Sequence, residues 1–247
     1  MTRRRSILLL VAPVALAGCG LVDNAGNSGH SEQGRRTFDL WQGSVIAALI
    51  VGGIVWGLIL WAVVRYRRRS DDIPSQRQYI LPIEIIYTVT PVLIVVVLFV
   101  VAYNVQRDVD ALSADPDVVI DVDGFQWQWQ FHYVDEDITV TGLPDKLPVM
   151  VLPVGETVRL RLRSRDVIHS FYVPDFLYKR DVIPGVDNDI DVDVTDEGTY
   201  TGRCAEFCGL DHAKMTFEVE AVSPAEFREW VAEARGDEAA VEASPAP

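Results

Sequence analysis

Cysteine is scarce in this chain: 247 residues hold three, Cys19, Cys204 and Cys208. If the last two bind a metal, only Cys19 is left unpaired, and no disulfide framework can staple the fold. Basic residues are short in the C-terminal part, where residues 105–247 carry 12 Lys and Arg against 30 Asp and Glu, a balance of −18. Such a module is unsuited to nucleic acid; it suits a cationic protein partner, or its acidity simply keeps it soluble. Residues 1–104 have the opposite balance, +4, from 10 basic against 6 acidic residues. Charge is missing altogether between Asp39 and Arg65 and again from Ile85 to Gln106. The length fits one soluble domain plus membrane segments, whereas two full soluble domains would be tight.

Both uncharged runs are long enough to cross the hydrocarbon of a bilayer as helices. Trp41 near one end of the first, with Trp61 and Tyr66 near the other, fits interfacial aromatic belts, and Gly52, Gly53 and Gly57 permit close helix approach. Between the runs lies Arg65-Tyr66-Arg67-Arg68-Arg69, joined by Arg77. A loop this basic (65–81) is expected on the cytoplasmic side, which makes 41–105 a two-helix hairpin with both ends outside. Residues 1–18 read as a secretory signal: Arg3, Arg4 and Arg5, then the apolar run Ile7 to Leu16, too short to span. The run ends in Leu16-Ala17-Gly18-Cys19, which resembles a bacterial lipobox, so Cys19 is a candidate for lipidation. A Gly-, Asn- and Ser-containing stretch, 19–40, is expected to be a flexible extracytoplasmic tail. Glu84 opens the second helix, either as an interfacial charge at a helix N-terminus or as a proton-uptake group.

The densest chemistry lies in Cys204-Ala205-Glu206-Phe207-Cys208-Gly209-Leu210-Asp211-His212-Ala213-Lys214-Met215. Two thiols, an imidazole and a thioether are soft or borderline donors that suit copper better than calcium, magnesium or manganese. Zinc favours Cys and His and rarely takes Met. Of the four histidines, His30 lies in the polar tail and His132 in an aromatic strand, which leaves His169 and His212 as the imidazole pair. A Cys204–Cys208 disulfide with two incidental histidines is the bland alternative; it leaves Met215 and the second His without a role.

From Asp115 the pattern changes to short alternating segments, such as Val118–Val122, Thr157–Arg163 and Ile190–Val194, punctuated by Pro- and Gly-containing turns. Regular strands without intervening helices predict an all-β sandwich or barrel over 106–222. Within Gly124–Tyr133 a single strand would put Phe125, Trp127, Trp129, Phe131 and Tyr133 on one face, most of them in the core. Ser223-Pro224-Ala225-Glu226 is a capping box that opens a short helix to about Ala234, followed by a disordered tail to 247.

"CAEFCGLDHAKM", "DVIHSFYVP" and Lys179 followed by "DVIPG" together resemble cytochrome c oxidase subunit II, and the likeness runs over nearly all of residues 40–235. The resemblance implies a membrane-anchored all-β chain: a transmembrane helix hairpin followed by a Greek-key cupredoxin-like sandwich carrying a binuclear copper (CuA) centre. It implies Cys204 and Cys208 as bridging thiolates, His169 and Met215 completing one copper, and His212 with the Glu206 carbonyl completing the other. The Glu206 side chain would also help to hold a magnesium ion against subunit I. Gly124–Tyr133 resembles the family's aromatic segment, whose first Trp, here Trp127, takes electrons from cytochrome c; the next position, often Tyr, is Gln128. The stretch around Glu84 resembles the second-helix motif that feeds protons to a channel in the partner subunit. The resemblance thus implies a proton-pumping oxidase of a bacterial cell membrane, with the copper domain outside. Its partners would be a heme-bearing subunit I and a cytochrome c. A copper-free quinol-oxidase relative would lack these ligands, and a lipid-anchored copper-binding or assembly protein would need neither the hairpin nor Glu84.

Overall fold

The computed structural model describes residues 29–242, apart from 72, 74, 144 and 145 and the side chains of 237–242. Residues 1–28, with the expected signal segment and Cys19, lie outside the described residues. Two units result, one of residues 39–107 and one of residues 29–38 with 108–242.

The first unit holds the apolar bodies of α1 (Glu32–Arg65) and α2 (Leu81–Val109), both long and apolar enough to cross a membrane. Leu, Ile and Val are exposed on every side of α2, as expected of a helix whose solvent is lipid. Pro91 sits inside α2, which membrane helices tolerate.

Helix α1 begins earlier than the sequence suggests, inside the segment expected to be a flexible tail. Ser31 is its N-cap: its hydroxyl accepts from Gly34 N at 3.0 Å and donates to Phe176 O at 3.2 Å. His30 N donates to Asp175 O at 2.9 Å, and Thr195 N donates to His30 O at 3.0 Å. The Gln33 amide grips Asp193 twice, Nε2 donating to Oδ2 at 2.8 Å and Oε1 accepting from the backbone N at 3.1 Å. A Cβ on Gly34 would lie 2.3 Å from Phe176 O, so this approach requires glycine. Residues 29–34 are therefore a strap bound to the β-domain, because their polar groups find fixed partners there.

The β-domain is a sandwich of two five-stranded sheets. One has the order β3 (Ile138–Thr141), β2 (Gln128–Tyr133), β1 (Val118–Phe125), β5 (Thr157–Ser164) and β8 (Asn188–Asp193). The other runs β4 (Val149–Pro153), β10 (Thr216–Val222), β9 (Gly198–Cys204), β6 (His169–Val173) and β7 (Tyr178–Val182). The pairs β1–β5 and β4–β10 are parallel and the others antiparallel, so the connections cross over. Alternation explains the layering: Val158, Leu160 and Leu162 of β5 face the core, while Arg159 and Arg161 face outward, paired with Asp191 and Asp121.

The aromatic stretch is not one strand. The chain reverses at Gln126–Trp127, so that Phe125 pairs with Gln128 across a hairpin. Trp129, Phe131 and Tyr133 are fully buried, but Phe125 lies on the outer face under the Arg165 guanidinium, and Trp127 sits at the turn. Tyr133 joins the sheets: its hydroxyl donates to Val151 O at 2.9 Å and accepts from Val151 N at 2.7 Å. Burial holds the phenol well above its ordinary pKa, against the hydrogen bond from Val151. The Ser223–Glu226 capping box forms, and its helix, α3, covers Pro224–Glu242, past the expected end at Ala234. Its Phe227 and Trp230 rings pack on Tyr133.

Candidate metal centre

Cys204 ends β9, and the chain returns to β10 through residues 205–215. The neck of this loop is closed by Cys204 N donating to Met215 O at 2.9 Å and Ala205 N donating to Ser170 O at 3.0 Å. Phe171 pairs with Cys204, which brings the start of β6, His169, beside the loop. Cys204 Sγ lies 3.9 Å from His169 Nδ1 and 3.9 Å from Cys208 Sγ. Cys208 Sγ lies 3.6 Å from His212 Nδ1 and 3.8 Å from Met215 Sδ. The Glu206 carbonyl oxygen stands 3.2 Å from Cys204 Sγ, while its side chain is exposed at the rim. Both thiols are free and buried, and a sulfur separation near 2.0 Å would be needed for a disulfide.

Among the described residues, His169, Cys204 and Cys208 form the one group of His, Cys or carboxylate side chains close enough to hold a metal, with ligand atoms within 4.8 Å of one another. His212 and Met215 extend that group to a donor set of two sulfurs, two imidazoles, a thioether and a carbonyl. The set fits copper, whose soft-ligand chemistry uses thiolate and thioether together.

Burial pushes the Cys204 thiol up, but His169 and the backbone around Ser170 and Glu206 reverse that and lower it. Cys208 is raised, first by burial and then by the charge of Cys204 beside it. One thiol thus ionises readily, and the second gives up its proton when a cation takes that proton's place. His169 is raised despite its burial, because Cys204 and Asp166 both favour the imidazolium.

Residues that sequence reasoning did not single out hold the centre in place. Asp166 Oδ1 lies 2.8 Å from His169 Nε2 and accepts from Val167 N at 2.6 Å, and its Oδ2 accepts from Gln126 N at 2.7 Å. Such an outer carboxylate fixes a ligating imidazole's tautomer and orientation. The sequence carried one clue, an acidic residue three positions before a histidine at a strand's start. Gly124 leaves room for two rings, since a Cβ there would lie 3.2 Å from Trp129 and 3.3 Å from His169. Trp127 lies against the loop, where a Cβ on Gly209 would come 3.2 Å from its indole Nε1.

All the loop donors and Trp127 therefore come together. Glu84 belongs to the other unit, in the first turn of α2, with its Oε1 accepting from Ile80 N at 3.4 Å.

Two family models match, "Cytochrome C oxidase subunit II, transmembrane domain" over residues 31–105 and "Cytochrome C oxidase subunit II, periplasmic domain" over 144–222. A probable cytochrome c oxidase subunit 2 from Streptomyces avermitilis is 40% identical over 239 residues, covering 81% of this chain and 75% of that one. The chain belongs to the cytochrome c oxidase subunit II family. The Mycobacterium bovis subunit 2 is 34% identical over 281 residues, covering 88% of this chain and 77% of the relative. The solved periplasmic domain of oxidase subunit II from Bradyrhizobium japonicum is 32% identical, with a TM-score of 0.47, and covers 51% of this chain and 99% of that one. As a subunit II, the chain is a membrane-anchored component of a heme-copper oxidase with a cupredoxin-like β-sandwich.

Proposed function

We propose that the chain is the electron-input subunit of a proton-pumping cytochrome c oxidase. It takes electrons from a cytochrome c outside the membrane for the heme and copper centres of subunit I, which reduce O2 to water. The observation that carries this reading is the convergence of four further donor groups on two free thiols 3.9 Å apart. Cys204 and Cys208 would hold a copper pair as thiolates, together with His169, Met215, His212 and the Glu206 carbonyl. A copper pair held there supplies a one-electron redox centre. The protein's part is to keep the donors fixed and water out, so that little rearranges as charge changes. Trp127, half-buried against the loop, faces the cytochrome c, and the exposed Glu206 side chain contributes to a magnesium site shared with subunit I.

The loop 65–81 faces the cytoplasm, and the N-terminus and sandwich lie outside, Cys19 carrying lipid. Glu84 then stands at the cytoplasmic edge as a proton-uptake group. Glu84→Gln is expected to slow turnover while leaving copper content and the first reduction by cytochrome c unchanged. Turnover equal to that of the native oxidase would remove Glu84 from the proton path.

The deciding experiment is copper quantification with an EPR spectrum on the full chain in detergent. Two coppers sharing one unpaired electron are expected. A single ion per chain, or zinc taken in preference, would overturn the proposal.

A further inference from the structure

Gln126 precedes Trp127 at the reversal between β1 and β2, and it is exposed, polar and attached at both ends. Its backbone N donates to Asp166 Oδ2 at 2.7 Å, and the other oxygen of that carboxylate faces His169. Its side-chain Nε2 donates to the carbonyl oxygen of Cys208 at 2.6 Å. The same turn therefore reaches two donor residues by separate routes, the His169 ring of β6 through Asp166 and the backbone of Cys208 directly. Gly209 makes the approach possible: a Cβ there would lie 3.1 Å from the Gln126 amide nitrogen and 3.2 Å from the Trp127 indole nitrogen.

Resting on the electron-input reading above, we propose that Gln126 is a positioning residue that locks the Trp127 indole to the thiolate loop. Trp127 has no hydrogen bond of its own to hold it, since its buried Nε1 has no partner among the described residues. Packing alone holds the ring, against the edge of the core on one side and Gly209 on the other, and the loop side holds it only as well as the loop itself is held. Beyond Ala205, which Ser170 holds, the loop pairs with no strand before β10, and its Phe207 and Leu210 are exposed. The Gln126 amide is thus the bond that ties the far end of the loop to the turn bearing the indole. Electron delivery makes and breaks no bond: reduced cytochrome c loses one electron and the loop's metal centre gains it. On this chain's side the geometry is therefore set by how well these groups are held, and small displacements are costly.

The test uses the intact oxidase with Gln126→Leu, which removes the donor, and Gln126→Glu, which keeps the size and turns a carboxylate towards the Cys208 carbonyl. Both leave the backbone bond to Asp166 in place. The rate of single-turnover reduction by a soluble reduced cytochrome c is measured, with its binding constant, the copper content and the EPR spectrum. Backbone hydrogen exchange across residues 205–211 is followed in the metal-free full chain. The expected result, at saturating cytochrome c, is reduction slower by about 10- to 100-fold and faster exchange across 205–211 in both variants, with binding unchanged in Gln126→Leu. Native exchange across the loop overturns the proposal, whether or not copper is retained. So does a copper-loaded variant whose reduction rate stays within about twofold of native. Failure of the unaltered oxidase to accept electrons from cytochrome c would instead refute the functional reading, and the exchange measurement would still decide the role of Gln126.

Discussion

Cys204→Ser in the assembled oxidase is expected to reduce cytochrome c oxidation to background. Cys204 stands centrally among the donors, with Cys208 and His169 each 3.9 Å from its sulfur and the Glu206 carbonyl at 3.2 Å. Serine keeps the shape nearly intact but replaces a soft thiolate by a hard hydroxyl that stays protonated at neutral pH. It also removes the more readily ionised member of the pair, leaving Cys208, whose proton burial holds tightly. Copper per chain should fall, and the shared-electron EPR signal should vanish. Unchanged heme content would show that the partner subunits still assemble. Met215→Leu, a nearly volume-conserving change at a buried thioether, should likewise leave the fold nearly intact while altering the same spectrum. Full oxidation by the Cys204→Ser enzyme would sink the assignment of the loop.

Phe217→Ala should cost the sandwich about 3–5 kcal/mol of stability. The Phe217 ring is fully buried, stacked on Phe171 with centroids 4.8 Å apart and edge-on to Trp129 and Phe131 at 5.4 and 5.6 Å. Gly202 on the next strand lies under the ring, where a Cβ would come 2.1 Å from it. With no side chain at 202 to swing inward, the space vacated by the ring stays empty. Trp129 also packs against His169, so the damage should spread to the metal centre as weaker copper retention. Denaturant unfolding of the full chain, followed by near-ultraviolet circular dichroism, measures the loss. A cost below about 1 kcal/mol would show that the core collapses around the gap.

The metal donors were legible in the sequence because four of them fall within twelve residues, and chemistry so concentrated needs no tertiary information to be seen. His169 was reached by elimination among four histidines, and β-pairing of Phe171 with Cys204 supplies its physical reason. The reversal at Gln126–Trp127 was hidden because neither residue is a usual turn former, and apolar alternation runs through the break unaltered. The strap was hidden for another reason: Ser31 and Gln33 look like tail residues, and their partners, Phe176 and Asp193, lie about 150 positions away. Asp166 and Gln126 escaped notice likewise, since an outer-shell bond leaves no mark in local composition. The overrun of α3 past Ala234 follows from Ala and Glu, which favour helix as readily as they favour disorder.

Cutting the chain after the second membrane helix, α2, would discard everything through Val109. Here that cut would strip Ser31 from Phe176 and Gln33 from Asp193, baring the β8 margin of one sheet and the turn after β6. The excised domain would carry its metal loop with one flank unsealed. Its melting temperature and metal retention would therefore understate those of the anchored molecule.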